Sequence, residues 1–273
     1  MSAILAIFGV LLLGLMLWWR ALGRVVLRDV KITVSPWPAA LSGLRIAVLS
    51  DLHIGAPRMG PEALRRIVDR VRLRAPDLAV VLGDLVVHRV KGGHFVAPEV
   101  TSKILADLGA PTFAVLGNHD HQLDAARVTR ALTGAGITVL VNDCHAHEVR
   151  GQSLQIAGAD DCVRGKPDLP RTLAAAPAGS PILLLTHSPD LFPEVPPGVS
   201  LMLAGHTHGG QIRLPFIGAP RVPSRFGQRY ARGLIEENGR KLFVTTGLGT
   251  SWMPIRIGVP PEVVIIELVA DVK

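Results

Sequence analysis

LAGHTHGGQ, residues 203–211, sets two histidines one residue apart between glycines, directly after the apolar run Val199-Ser200-Leu201-Met202-Leu203-Ala204. The apolar run predicts a short buried strand. In an extended segment, residues i and i+2 point to the same side. His206 and His208 therefore predict two imidazoles delivered at a strand end, where they either hold a metal or lie idle in a loop.

Four further apolar runs decide between these. Residues 44–50 (LRIAVLS) lead into Asp51-Leu52-His53, residues 78–82 into Gly83-Asp84, residues 112–116 into Gly117-Asn118-His119-Asp120, and residues 182–185 into Thr186-His187. Between them, residues 61–74 open on proline and carry Leu64, Ile67, Val68 and Val71 at helical spacing. Helices are also predicted over 98–108, 124–134 and 169–176. Further strands are predicted over 137–141, 145–150, 153–158 and 263–269, with a hairpin over 234–246 turning at Glu237-Asn238-Gly239. Strand–helix alternation followed by a β-rich half predicts an α/β domain with two packed sheets and helices outside. In such sheets the ligand site lies beyond the carboxyl ends of the strands. The five polar tips can thus converge although they run from residue 51 to residue 208.

The chemistry of the tips is uniform: two carboxylates, an amide and several imidazoles. Imidazole with carboxylate suits Mn, Fe, Co, Ni or Zn, whereas an all-oxygen set suits Mg or Ca. The donors exceed what one ion takes. A carboxylate bridging two ions about 3.5–4 Å apart would use them all, which is a two-metal hydrolytic arrangement. A lone Asp-x-His at a strand end is more often a surface loop. Five such tips in this order, each closing an apolar strand, leave little room for that reading.

In this order the motifs D-x-H, G-D, G-N-H-D, H and G-H-T-H resemble the signature of the calcineurin-like metallophosphoesterase superfamily, and the match runs through nearly all of the chain after residue 44. The flanks Ser50-Asp51-Leu52-His53-Ile54-Gly55, Leu185-Thr186-His187-Ser188-Pro189-Asp190, Gly205-His206-Thr207-His208-Gly209-Gly210-Gln211-Ile212 and Gly247-Leu248-Gly249-Thr250-Ser251 resemble its membrane-associated bacterial branch, which includes phosphodiesterases and a UDP-diacylglucosamine pyrophosphatase. The resemblance implies a four-layer α/β/β/α sandwich and two divalent metal ions, manganese before iron, zinc, cobalt or nickel. It implies that Asp51, His53 and His208 bind one ion, that Asn118, His187 and His206 bind the other, and that Asp84 bridges them. His119 would stand near the scissile phosphate and protonate the leaving oxygen, with Asp120 orienting it. His206 and His208 would then reach different ions, so the backbone must turn between them. One departure is Gly83-Asp84-Leu85-Val86-Val87-His88, which lacks the further acidic residue of many relatives.

The expected activity is hydrolysis of a phosphodiester or pyrophosphate, in a lipid-linked substrate such as UDP-diacylglucosamine or, alternatively, in nucleotide or cell-wall diesters. A non-catalytic metal-binding scaffold is the third reading, and His119 argues against it, since a scaffold needs ligands but no acid. The 273 residues carry a net charge of +7, which favours anionic partners. No Lys/Arg tract with interleaved aromatics is present, so no nucleic-acid partner is expected. Cys144 and Cys162 form no metal motif and read as free thiols or a single disulfide. Residues 2–19 are uncharged and almost wholly apolar, roughly 27 Å at 1.5 Å per residue, with Trp18 and Trp19 at the end and Arg20, Arg24 and Arg28 following. They predict an uncleaved single-pass anchor in a bacterial inner membrane, with the catalytic domain cytoplasmic by the positive-inside rule. The expected organisation is an anchor and basic flank over 1–28, a juxtamembrane connector over 29–43 that holds a strand at Val30–Val34 and then Pro36 and Pro38, and a metallophosphoesterase domain over 44–273. Residues 88–98 read as a lid or a solvated connector. Arg221, Arg225, Arg229 and Arg232 are candidates for a substrate phosphate or anionic lipid. His94, His121, His145 and His147 have no motif role.

Overall fold

The apolar runs become the strands of two mixed six-stranded sheets. The computed structural model describes residues 24–87 and 90–271, together with Leu5, Ile7, Phe8, Gly9, Leu12 and Gly14. In chain order the elements are β1 (Val26–Val34), β2 (Leu44–Leu49), α1 (Pro61–Arg72), β3 (Leu78–Val81), α2 (Pro98–Leu105), β4 (Thr112–Ala114), α3 (Asn118–Gly134), β5 (Thr138–Val139), β6 (Asp143–Val149), β7 (Gln152–Gly158), α4 (Leu169–Leu173), β8 (Ile182–Leu185), β9 (Leu201–Ala204), β10 (Gly233–Glu237), β11 (Arg240–Val244) and β12 (Glu262–Ala270). One sheet runs β1-β12-β2-β3-β4-β5 and the other β10-β11-β9-β8-β7-β6.

Three apolar layers hold these sheets together. Ile46, Val48, Leu78, Val80 and Phe113 of the first sheet meet Ile156, Leu183, Leu185, Leu201 and Leu203 of the second in one buried cluster. The other face of the first sheet packs Ala47, Leu49, Ala79 and Val81 against Leu64, Ile67 and Val71 of α1 and against Ile104, Val128 and Leu132 of α2 and α3. The other face of the second sheet is covered more thinly, by Leu169 of α4, by Leu191 and Phe192 of a 3₁₀ turn and by Tyr230. The order is α/β/β/α, with the last layer built mostly from turns.

Three expectations need adjusting. The strand expected at Val30–Val34 begins earlier: β1 covers Val26–Val34, runs parallel along all of β12, and buries Ile32 and Val34. Its partner lies 236 residues away at Val26↔Glu262. The α3 helix begins at Asn118 rather than 124, because Asp124, with φ 176° and ψ 100°, interrupts it and hides the first turn from a search for period. The single-pass inner-membrane placement is corrected as well. Among the described residues no helix is long and apolar enough to cross a membrane, and the cytoplasmic orientation built on that span falls with it. Length and hydropathy show that a segment could span, not that a spanning helix forms. Most of residues 2–19, on which that expectation rested, lie outside the described residues, as do His88 and Arg89 of the expected 88–98 lid.

Candidate dinuclear metal centre

Strands β2, β3 and β4 are parallel and in step, with Leu49 opposite Val81 and Val81 opposite Ala114. In the second sheet β8 and β9 are parallel, with Leu185 opposite Leu203. Their carboxyl ends therefore open onto one rim. The loop after β2 carries Asp51 and His53, that after β3 Asp84, and the start of α3 after β4 carries Asn118, His119 and Asp120. The loops after β8 and β9 carry His187 and then His206 and His208.

The ligand atoms converge in three groups, each within 4.8 Å: Asp51, His53 and His208; His53, Asp84 and His119; and Asp84, His187 and His206. Asp84 is central. Its Oδ2 lies 3.6 Å from His53 Nε2, 3.3 Å from His187 Nε2 and 4.0 Å from His119 Nε2. On one side His208 Nε2 stands 3.5 Å from Asp51 Oδ1 and 3.2 Å from His53 Nε2. On the other, His187 Nε2 stands 3.1 Å from His206 Nδ1 and 3.2 Å from Asn118 Oδ1.

These contacts make sense as cation sites. His187 Nδ1 donates to the Leu82 carbonyl at 2.7 Å and His53 Nδ1 to the Val86 carbonyl at 3.2 Å. Each bond fixes the tautomer and leaves the Nε2 lone pair facing inward, as metal-bound histidines are usually arranged. Lone pairs of Nε2, Oδ1 and Oδ2 then point at one another from about 3.1–3.6 Å, which repels unless a cation stands between them. The donor set fits two divalent ions sharing Asp84.

The backbone pays for this convergence. Asp51, His53, Asp84, His206 and His208 have φ of 50°, 42°, 55°, 67° and 51°, a left-handed region that non-glycine residues seldom enter, at on the order of 1–3 kcal/mol each. The surroundings hold them there. Asp51 N donates to Gly83 O at 3.0 Å, His53 N to Asp84 O at 3.0 Å, and His206 N to both Asp51 oxygens at 3.1 and 3.0 Å. The left-handed turns at His206 and His208 send two rings of one short segment to different clusters. Glycine is required beside them: a Cβ on Gly205 would stand 2.0 Å from Ser50 Oγ and 2.5 Å from Asp51 Oδ2.

Asp120 is fully buried and its oxygens accept from Asp84 N (2.7 Å), Gly117 N (2.9 Å) and Leu85 N (2.9 Å). Asp84 Oδ1 in turn accepts from His119 N at 2.8 Å. Asp120 thus locks the Gly117 turn and the Asp84 loop, and His119 is tied to the same knot through its backbone. The His119 ring stands edge-on to His53, centroids 4.8 Å apart.

The electrostatics follow from burial. Burial pushes Asp51 up to about 6 and, with the Asp84 charge, Asp120 up to about 7. Burial pushes His53 and His206 down to about 3, and His208 well below its ordinary range. Burial also works against charge on His187 and Asp84, but the two oppose it together: the carboxylate raises His187 well above 6.5, and His187 holds Asp84 well below 3.8.

Sequence reading missed Arg256. It is buried, donates through Nη2 to Thr246 O (2.8 Å) and Gly249 O (2.6 Å), and sets the same nitrogen 3.1 Å from His208 Nδ1. No motif surrounds it. The arginine group does not assemble: Arg225 pairs with Glu194 and Arg229 with Glu237, whereas Arg221 stacks on Trp252. His121 pairs with Asp160 at 2.8 Å, and His145 and His147 flank Phe113. Both cysteines are free thiols.

A family model described as calcineurin-like phosphoesterase matches residues 44–210. The metallophosphoesterase YkuE of Bacillus subtilis (strain 168) is 32% identical over 236 residues, covering 85% of this chain and 81% of that protein. The phosphodiesterase YaeI of Escherichia coli (strain K12) is 35% identical over 234 residues, 82% of each chain. A metallophosphoesterase of Aquifex aeolicus (strain VF5) is 33% identical over 237 residues, 82% of this chain and 85% of that protein.

Proposed function

The chain belongs to the calcineurin-like phosphoesterase family and is a metal-dependent phosphoester hydrolase; from that premise we propose that it is a phosphodiesterase with a dinuclear centre. The observation that carries this reading is the position of Asp84 Oδ2 between His53 Nε2 at 3.6 Å and His187 Nε2 at 3.3 Å. Asp51, His53 and His208 would hold one ion, Asn118, His187 and His206 the other, and Asp84 both. Two bound divalent ions supply charge neutralisation for an anionic diester and lower the pKa of a water toward neutrality.

The protein's own groups do the rest. His119, half-buried between Asp84 and His53, donates a proton to the departing ester oxygen. Asp120 positions it by holding Gly117 and Asp84.

The test uses the full chain loaded with manganese and bis(p-nitrophenyl) phosphate. Asp84→Ala is expected to lower kcat/KM by roughly 10³-fold or more and to leave at most one ion per chain by elemental analysis; retained turnover would overturn the dinuclear reading. His119→Ala should keep both ions. Its loss should reach about 10²–10⁴-fold on a diester with an alkoxide leaving group and be much smaller for p-nitrophenolate, which leaves without a proton. Equal losses on both would remove the assigned proton donor. Manganese, and a lipid-linked pyrophosphate such as UDP-diacylglucosamine, are finer readings that rest on the flanking motifs. UMP release from that lipid in detergent, absent in Asp84→Ala, would support the second, and its absence beside active diester hydrolysis would turn the search to nucleotide and cell-wall diesters.

A further inference from the structure

Beside the centre lies a pocket of about 240 Å³ that runs from His208 to Trp252 and has Gln211, Ile212, Arg221 and Met253 among its walls. Thr207 and His208, from the loop that supplies two of the clustered histidines, are among its lining residues, so the pocket adjoins the centre. The walls are built. Gln211 Nε2 donates to Met253 O at 2.7 Å, and its Oε1 accepts from Ser251 N at 3.3 Å. Ile257 N donates to Gln211 O at 3.0 Å, and Arg213 N to Ile257 O at 2.7 Å. The Gln211 side-chain amide therefore pins the 251–253 loop to the segment that follows GHTHGG, and the backbone ladder ties that segment to Ile257. Trp252 is 64% exposed, an unusual position for an indole, and the Arg221 guanidinium stacks on it with its carbon 5.0 Å from the ring centroid.

We propose that this pocket is the subsite for one ester arm of the substrate, and that the arm it selects carries a planar apolar ring that stacks on Trp252 while Arg221 attracts the anion. Three features point to this class. The volume is below the roughly 300–1,000 Å³ of clefts that enclose a whole ligand, which suits one arm and not a pair of acyl chains. A rigid indole offers a flat partner, and ring pairs gain from offset stacking beyond the area they bury. A cation on the indole supplies charge complementarity to a phosphate at the rim next door. The inference rests on the phosphodiesterase reading and names the substrate class for it.

The test is binding, read apart from turnover. Benzylphosphonate and methylphosphonate each carry one anionic head and one arm, and neither has an ester to cleave. By titration calorimetry on the manganese-loaded full chain, benzylphosphonate should bind at least about tenfold tighter than methylphosphonate. Trp252→Ala should shrink that ratio to within about threefold with metal content unchanged, and Trp252→Phe should keep most of it. Arg221→Ala should weaken both ligands by a similar factor, since it acts on the anion. Equal affinities in the unaltered chain, or a ratio that survives Trp252→Ala, would overturn the subsite even where bis(p-nitrophenyl) phosphate is hydrolysed. A ratio that depends on Trp252 in a chain without diesterase activity would keep the subsite and reject the phosphodiesterase reading instead.

Discussion

The Asp51–His53–His208 cluster and the Asn118–His187–His206 cluster share Asp84 but are built differently. In the first, every member has a left-handed backbone, exposures are 0%, 0% and 3%, and Arg256 closes the back of His208. In the second, only His206 has a positive φ, and Asn118 and His206 are half-buried, although His187 is 0% exposed. The first is wedged into the fold and held by strain that its surroundings must oppose. The second faces the rim, beside His119 and the first turn of α3. The difference teaches that one half of such a centre can be wholly buried and strained while the other keeps two of its three members part-exposed at the rim.

Truncation in each half should separate them most strongly. His53→Ala deletes a ligand with no exposed surface and strands buried acceptors around it, so apo-protein stability should fall by about 2–3 kcal/mol. Asn118→Ala should lower diester hydrolysis by roughly 10²-fold, while apo stability falls by only about 1 kcal/mol for the lost Oδ1 contact to His187, less than for His53→Ala. Denaturant melts of both variants in chelator give the comparison, and equal stability losses would erase it.

Gly205→Ala should show a smaller effect on the same wedge. The added methyl meets Ser50 Oγ and the Asp51 carboxylate, so stability should fall by about 1–3 kcal/mol. Affinity for the ion held by Asp51 should drop more than that for the ion held by His187. A change confined to the second ion would contradict the placement of Gly205.

The mildest probe is pH. Metal competes with protons for its ligands. Asp51, raised to about 6, is ionised above that pH, so the first ion's affinity should be level above about pH 6 and fall by up to about tenfold per unit below it. His53 adds nothing in this window because it stays neutral down to about 3. His187 is raised by the Asp84 carboxylate against its burial, so a proton competes for the second ion's ligand at higher pH than for the first, and the second ion's affinity should go on rising with pH after the first has levelled. On acidification the open site empties first. Manganese titrations across pH 5–8 that show one common profile would merge the two halves.

Much of this centre was legible because each tip closes an apolar run, and a run of buried β residues followed by Asp, His or Gly-Asn-His is a local pattern. Helix α1, with Leu64, Ile67, Val68 and Val71 on one face, was legible for the same reason. The Asn238-Gly239 hairpin turn also appears as read, with φ of 52° and 72°. What could not be read is non-local. Arg256 matters because it lies under His208, 48 positions earlier. Trp252 matters because Gln211 pins its loop beside the rim. Val26–Val34 becomes the edge of a sheet because β12, at the far end of the chain, pairs with it. The arginines after residue 220 form a cluster only on paper, since nearby carboxylates draw Arg225 and Arg229 away from Arg221.

By itself the sequence determined the order of the candidate donors and their attachment to strand ends, because periodicity and residue chemistry are properties of neighbours along the chain. Tertiary structure decided which donors face which, that Asp84 stands between the clusters, that one half is buried and strained and the other open, and that an indole and a guanidinium wall the adjoining pocket. Those outcomes depend on the register of strands far apart in sequence and on the left-handed turns that their packing enforces.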